Sequence, residues 1–301
     1  MTGIQERILS LKHEKNAVIL AHFYQTMDIQ KIADHVGDSF ELACRAQAAD
    51  ESTIILCGVR FMAESAKILN PDKKVLLPAP DAGCPMADMV TAEDIVRLKK
   101  QYPDAAVMCY VNSSADVKAE CDICCTSSSA VKIARSLSEK RIIFVPDQNL
   151  GAYVASQVPD KEFILYQGFC PIHHHVSASD VTAAKTVHPE ARVLIHPECR
   201  SEVVKLADYV GSTSGIIDYV KNSADREFII GTEMGVVERL KRIAPEKNVY
   251  LLATRLVCPN MKKTRISDVL NSLENDVYEI TLPEYAIKGA FKCLDRMVKV
   301  Q

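Results

Sequence analysis

The sequence predicts an α/β protein of three similar three-layer αβα units, with parallel sheets arranged about a pseudo-threefold axis. Three observations carry this prediction. Short β-rich runs alternate with helical stretches along all 301 residues. Those runs are continuously apolar rather than alternating, as strands covered on both faces must be. Laid over itself, the chain also repeats chemistry-bearing residue types at separations of 88 and 86.

Nine runs read as strands: residues 17–21, 53–57, 74–77, 106–109, 141–145, 163–166, 192–195, 228–230 and 249–252. Parallel neighbours need a crossover between them, and helical periodicity supplies one at residues 92–100 and another at 202–209. The repeat then sets the organisation. His22, Tyr110 and His196 each follow a strand, 88 and 86 residues apart, and Ser39, Ser127 and Thr213 keep the same two separations. So do Ile54, Ile142 and Phe228, each inside the next strand. Cys84, Cys170 and Cys258 stand 86 and 88 apart, and each is followed by proline. Four markers in one register divide the chain into units at 1–84, 85–170 and 171–258, with a closing segment at 259–301. Residues 264–301 look like the start of a fourth unit, a helix followed by a run at 277–280. They carry Thr281-Leu282 where the other units carry His or Tyr, so the tail is expected to pack as structure. No linker or low-complexity tract interrupts the units, which predicts one compact body.

Composition narrows the function classes. With 48% hydrophobic and 25% charged residues, the chain has apolar material for real cores. A net charge of −3 leaves no basic footprint, which argues against nucleic acid and anionic membranes as partners. No signal pattern or membrane-length apolar run occurs, so a cytoplasmic location is expected. Eleven cysteines, an odd number in a reducing compartment, argue for metal or cluster ligation over a disulfide framework. Most single cysteines in such a chain are inert core residues.

Ligands of open parallel sheets bind beyond the carboxyl ends of the strands, where the His/Tyr and Cys markers fall, with the hydroxyl markers at helix starts. If the units face one another, Cys84, Cys170 and Cys258 meet at one point. Three thiolates would leave zinc one open position. A cubane 4Fe-4S cluster usually takes four cysteines, but it has a threefold axis through one iron. Three symmetry-related cysteines therefore suit it and leave one iron open, and soft thiolates alone favour it. Cys121-Asp122-Ile123-Cys124-Cys125 has the familiar Cys-x-x-Cys spacing but no counterpart in the other units, so packing near a helix start explains it better. His173-His174-His175 reads as a loop of solvated or hydrogen-bonded imidazoles, since adjacent histidines rarely face one ion. Ser39, Ser127 and Thr213 each precede a helical pattern. One alone would be an N-cap; three around one cavity suggest a substrate with several carboxylates or a phosphate. His22 with Tyr24, Tyr110 with Asn112, and His196 with Glu198 supply acid–base groups.

The segments Ala21-His22-Phe23-Tyr24, Gly37-Asp38-Ser39, Phe61-Met62-Ala63-Glu64, Gly83-Cys84-Pro85-Met86-Ala87, Tyr110-Val111-Asn112, Cys125-Thr126-Ser127, Gly168-Phe169-Cys170-Pro171, His196-Pro197-Glu198-Cys199 and Cys258-Pro259-Asn260-Met261-Lys262 together resemble the quinolinate synthase family over essentially the full chain. The resemblance implies condensation of iminosuccinate (iminoaspartate) with dihydroxyacetone phosphate, releasing phosphate and two waters to give quinolinate, the pyridine precursor of NAD. It also implies handover from the enzyme supplying iminosuccinate. It implies one 4Fe-4S cluster on Cys84, Cys170 and Cys258 with one open iron site. Substrate-binding positions carried over by the resemblance are His22, Ser39, Tyr110, Val111, Asn112, Ser127, His196, Pro197, Glu198 and Thr213, with Tyr24 close by. His22, Tyr24, His196 and Glu198 are the candidates for proton transfer. Some members carry a cysteine-rich run at the third ligand, where this chain has Cys258 by itself. Two other classes stay open: another three-cysteine metal-dependent lyase or dehydratase, and a non-catalytic iron–sulfur carrier.

Overall fold

The computed structural model describes residues 2–300. Twelve strands form three four-stranded sheets. The first sheet contains β1 (Ala17–His22), β2 (His35–Gly37), β3 (Thr53–Cys57) and β4 (Lys74–Leu76). The second contains β5 (Ala105–Tyr110), β6 (Ile123–Cys125), β7 (Arg141–Val145) and β8 (Glu162–Leu165). The third contains β9 (Arg192–Ile195), β10 (Tyr209–Val210), β11 (Glu227–Gly231) and β12 (Asn248–Leu251). Each sheet has the same order, second–first–third–fourth strand, and every named neighbour pair is parallel. This is the architecture expected of three similar αβα units.

The central strands are fully covered, which is why their sequences read as unbroken apolar runs. Every residue of β1 and of β3 is buried. Helices cover both faces, so a side chain of either parity meets a core. The helical pattern at residues 92–100 is the helix Ala92–Gln101, started by a Thr91–Asp94 capping box, and it links β4 of the first sheet to β5 of the second rather than crossing between neighbours of one sheet.

Three expectations need correction. The short edge strands β2, β6 and β10 escape the periodicity argument, because two or three residues carry too little pattern. The stretch at 202–209 is not one helix: a four-residue helix, Ser201–Val204, stops early and Tyr209 already belongs to β10. The tail does not extend the parallel pattern. Ile280 donates its N–H to Val75 O and Leu77 donates to Tyr278 O, an isolated antiparallel bridge beside β4. The last helix, Glu284–Lys299, buries Ala286, Ala290, Cys293, Leu294 and Met297 in the same core as the second unit. The tail does pack as structure, as expected. Among the described residues no helix is long and apolar enough to cross a membrane.

Candidate active site

The topology aims one end of every sheet at the same place. β1 ends on His22, β5 on Tyr110, and β9 one residue before His196. The loops after the fourth strands carry Cys84, Cys170 and Cys258. Between the first and third strands of each sheet the chain direction of winding reverses, the switch point at which open α/β sheets bind ligands. A cavity of about 200 Å³ lies there. It is lined by His22, Tyr24, Ser39, Cys84, Tyr110, Asn112, Ser127, Cys170, His196, Glu198, Thr213 and Cys258. Val111 and Pro197 are buried but do not line it. The chain turns just past each strand end, so His22 and Tyr24, Tyr110 and Asn112, and His196 and Glu198 face the cavity while the residue between them does not. Val111 instead lines a small void with Ser39, Leu42 and Phe61.

The hydroxyl markers are not equivalent. Ser39 and Thr213 each open a ten-residue helix, whereas Ser127 sits three residues before its seven-residue helix, Ala130–Ser136. In the first unit the Asp38 carboxylate already accepts the N–H groups of Phe40 and Glu41. It also takes the Ser214 hydroxyl of the third unit, joining the two hydroxyl-bearing helices.

A hydrogen-bonded relay crosses the cavity. Tyr110 donates to Glu198 Oε1 at 2.6 Å, and His173 Nδ1 lies 2.7 Å from Glu198 Oε2. His173 Nε2 meets Thr232 Oγ1 at 3.1 Å, and Thr232 meets the Tyr24 hydroxyl at 2.8 Å. Tyr24 reaches Thr213 at 3.0 Å. His173 also stacks on His196 with ring centroids 4.7 Å apart. The three adjacent histidines thus separate: His173 is 2% exposed, His174 stacks on Phe169, and His175 faces solvent. Of the two expected forms, solvated or hydrogen-bonded, His173 takes the hydrogen-bonded one, on the short helix Pro171–His174 rather than a loop, and the three do not converge on one point. The run at 121–125 is also not a helix start. Cys124 lies in β6 with its Sγ 3.2 Å from Cys293 Sγ, away from the cavity.

Burial sets the protonation states. Burial, with Lys262 and His196 nearby, lowers His22 to about 3. Burial lowers His196 to about 3 as well. Both rings are therefore neutral near neutral pH. The His22 Nδ1 accepts the Tyr24 N–H and the His196 Nδ1 accepts the Glu198 N–H, so each ring proton sits on Nε2. Burial, reinforced by the Glu198 charge, raises Tyr24 and Tyr110 well above the usual phenol range. Burial opposes the charge on Glu198, yet His196, His173 and the Tyr110 hydroxyl hold its carboxyl below the usual range. Burial pushes the Cys84 thiol up to about 12 and raises Cys170 and Cys258, so without a cation the three sulfurs stay protonated. Asn112 Oδ1 is buried with no hydrogen-bond partner among the described residues, an acceptor left for a ligand.

Several residues that build this site escape the sequence reading. Asp147 accepts the Cys170 N–H at 3.1 Å, and Glu233 accepts the Cys258 N–H at 3.3 Å. They stand 86 residues apart, in the register of the repeat, so self-comparison contains that signal. His173 and Thr232 have no counterpart in the other units and leave no such trace. Lys262 ties the third cysteine loop to the first unit, donating to Tyr24 O at 2.6 Å and pairing with Glu233 at 3.1 Å.

The family model described as NadA, quinolinate synthetase A protein, matches residues 6–299. The quinolinate synthase of Caldicellulosiruptor bescii is 54% identical over 297 residues, covering 99% of this chain and 98% of its own length. That of Alkaliphilus metalliredigens is 54% identical over 300 residues, covering 100% and 99%. Quinolinate synthase 2 of Methanosarcina acetivorans is 52% identical over 297 residues, covering 99% and 96%. With a three-unit α/β body, a central cavity at the strand ends and likeness along nearly its whole length, the chain belongs to the NadA family of quinolinate synthases.

Proposed function

We propose that this enzyme makes quinolinate from iminosuccinate and dihydroxyacetone phosphate in the central cavity, with one 4Fe-4S cluster held by Cys84, Cys170 and Cys258 and one iron left open. The observation that carries this reading is the convergence of three thiols, one from each unit, on the cavity that also holds the Tyr110–Glu198–His173 relay. The donor set suits the group. The three thiols are free, and Cys84 lies within electrostatic reach of both Cys258 and Cys170. Burial keeps these thiols protonated, so ligation of a soft metal would have to be accompanied by loss of their protons. When bound, the cluster supplies a Lewis acid for a substrate hydroxyl or carboxylate oxygen.

The chain's own residues do the rest. Ser39, Ser127 and Thr213 hold the carboxylates and phosphate, aided at Ser39 and Thr213 by helix N-termini. Asn112 Oδ1 accepts one substrate donor. Tyr24 and Tyr110 stay protonated and act as proton donors. His22 and His196 present Nε2–H groups that orient and polarise carbonyl oxygens rather than strong bases. Glu198 stays ionised, and the hydrogen bond it accepts holds the Tyr110 hydroxyl in place as a proton donor. We place the reaction in the cytoplasm, where the free thiols stay reduced. There iminosuccinate arrives by handover from the enzyme that makes it, before water hydrolyses its C=N bond.

The test is anaerobic purification followed by an iron and sulfide count and an assay for quinolinate. About four irons per chain and product formation are expected. A colourless, oxygen-tolerant zinc protein would sink the reading in favour of a metal lyase. A brown protein that forms no quinolinate would favour the non-catalytic carrier. Glu198→Gln should lower kcat by about 10²–10⁴ while iron content stays constant.

A further inference from the structure

We propose that the cluster-free chain contains a mononuclear site for a divalent transition-metal ion of the Zn²⁺ or Co²⁺ class, built from Cys170, His173 and Glu198. Occupation of this site and assembly of the cluster exclude each other, because both require Cys170. The exclusion rests on the cluster ligation proposed above; the site itself does not.

Cys170, His173 and Glu198 each offer one ligand atom, and these atoms all lie within 4.8 Å of one another. His173 Nδ1 is 2.7 Å from Glu198 Oε2 and 3.4 Å from Cys170 Sγ. A tetrahedral zinc ion with its usual bond lengths separates such donors by roughly 3.3–3.6 Å. Ligation therefore needs the carboxylate and the ring to part by about half an ångström, and the Cys170 Sγ and the carboxylate, at most 4.8 Å apart, to settle within the same range.

The surrounding contacts are those of a built site. Each ligand has its other functional group already engaged. Glu198 Oε1 accepts from Tyr110, which leaves Oε2. His173 Nε2 meets Thr232 Oγ1, which orients the ring and leaves Nδ1. The Cys170 N–H is held by Asp147 Oδ2, which fixes the Cβ from which the thiol projects. Metal-binding histidines characteristically donate their second ring N–H to such a neighbour. His173 and Glu198 are 2% and 4% exposed, so neither loses its geometry to water. All three residues line the central cavity, which leaves a fourth coordination position for water or a small anion. A thiolate, an imidazole and a carboxylate together form a borderline donor set that suits a single zinc or cobalt ion. The site uses one of the three cavity cysteines and neither of the others, which makes it separable by mutation.

The experiment uses the full chain, stripped of metal by chelation under reducing, anaerobic conditions and titrated with Co²⁺. One equivalent should bind, giving a thiolate-to-cobalt charge-transfer band and the intense visible bands of a four-coordinate ion. Cys170→Ser should remove the charge-transfer band, and His173→Ala should weaken binding by about 100-fold. Cys84→Ser and Cys258→Ser should leave both band and affinity unchanged. Loss of the band in either of these two variants would show that its thiolate ligates the ion and overturn the proposal, independently of any substitution at His173. Unchanged affinity in both His173→Ala and Glu198→Gln would overturn it too, leaving that pair as a hydrogen bond only. In a second arm, chain preloaded with Zn²⁺ and then given iron and sulfide should form an order of magnitude less cluster than metal-free chain, with recovery after chelation. Equal yields would refute the exclusion. If metal-free chain also forms no cluster, the cluster reading and the exclusion fall together, while the cobalt spectrum still decides the site.

Discussion

In the second unit Asp147 performs two tasks. One oxygen caps the helix Gln148–Gln157 by accepting the N–H groups of Asn149 and Leu150, and the other accepts the N–H of Cys170. In the third unit Glu233 does the same, capping Met234–Ile243 through Gly235 N–H and holding the Cys258 N–H. The corresponding position of the first unit is Val59, which has no acceptor in its side chain. There the helix Arg60–Leu69 has no side-chain cap, and Arg60 donates its N–H straight to Ala82 O, two residues before Cys84. Every helix start leaves backbone donors to satisfy. All three units tie that helix start to the cysteine loop through the same backbone bond, Gln148 donating to Gly168 O and Met234 to Leu256 O as Arg60 does to Ala82 O, and two units add a buried carboxylate. Equivalent placement of three cysteines therefore rests on a shared backbone tie, to which a side chain contributes in only two units.

The largest effect tests whether the three loops are equivalent in outcome. Alanine at Cys84, Cys170 or Cys258 should in each case abolish iron content and quinolinate formation, because two thiolates would not hold the proposed cluster. One variant keeping most of its iron would mark that loop as different in function as well as in anchoring.

The anchoring itself comes next. Asp147→Ala leaves three N–H groups without their acceptor and should destabilise the chain by about 3 kcal/mol in urea unfolding, given about 1–3 kcal/mol for each buried donor left unpaired. Asp147→Asn keeps one acceptor oxygen and should cost about 1 kcal/mol. Glu233→Ala also strands Lys262 and should cost at least as much as Asp147→Ala. Both alanine variants should lose iron to a mild chelator faster than the parent. If stability falls while iron retention does not change, the carboxylates serve the helices alone.

A smaller effect separates the strand ends. His22 is lowered to about 3 in the folded chain, below its usual 6.5. The unfolded chain therefore takes up the proton first as pH falls. The contribution is complete above pH 6.5 and is lost toward pH 3, at about 1.4 kcal/mol per pH unit. His22→Gln should flatten the pH dependence of the urea midpoint of cluster-free chain by that slope. Tyr110→Phe, at the equivalent position of the second unit, should leave the slope above pH 4.5 as it is, since a raised phenol does not titrate there and the Glu198 carboxyl it supports titrates lower. The smallest expected effect is none: Cys124→Ala should leave iron content unchanged, because its sulfur packs against Cys293 outside the cavity.

Much of this molecule was legible before folding, for a physical reason. A parallel strand covered on both faces must be apolar throughout, so β1, β3, β7 and β9 announce themselves within a residue of their ends. Parallel topology then forces long, regular crossovers, and three copies keep His22, Tyr110 and His196, and likewise the three cysteines, in register. Three-dimensional structure decided what lies outside that regularity. The edge strands β2, β6 and β10 form because a neighbour offers its free backbone groups, with little signature in two or three residues. His173 turns inward while His174 and His175 do not, since only its position on the short helix Pro171–His174 meets Glu198. Tyr110 of the second unit meets Glu198 of the third, Asp38 of the first meets Ser214 of the third, and Tyr24 meets Thr213 and Thr232. These partners lie 88 to 208 residues apart. Local propensity acts over a few residues and records which groups each unit offers; which of them touch depends on how the units dock.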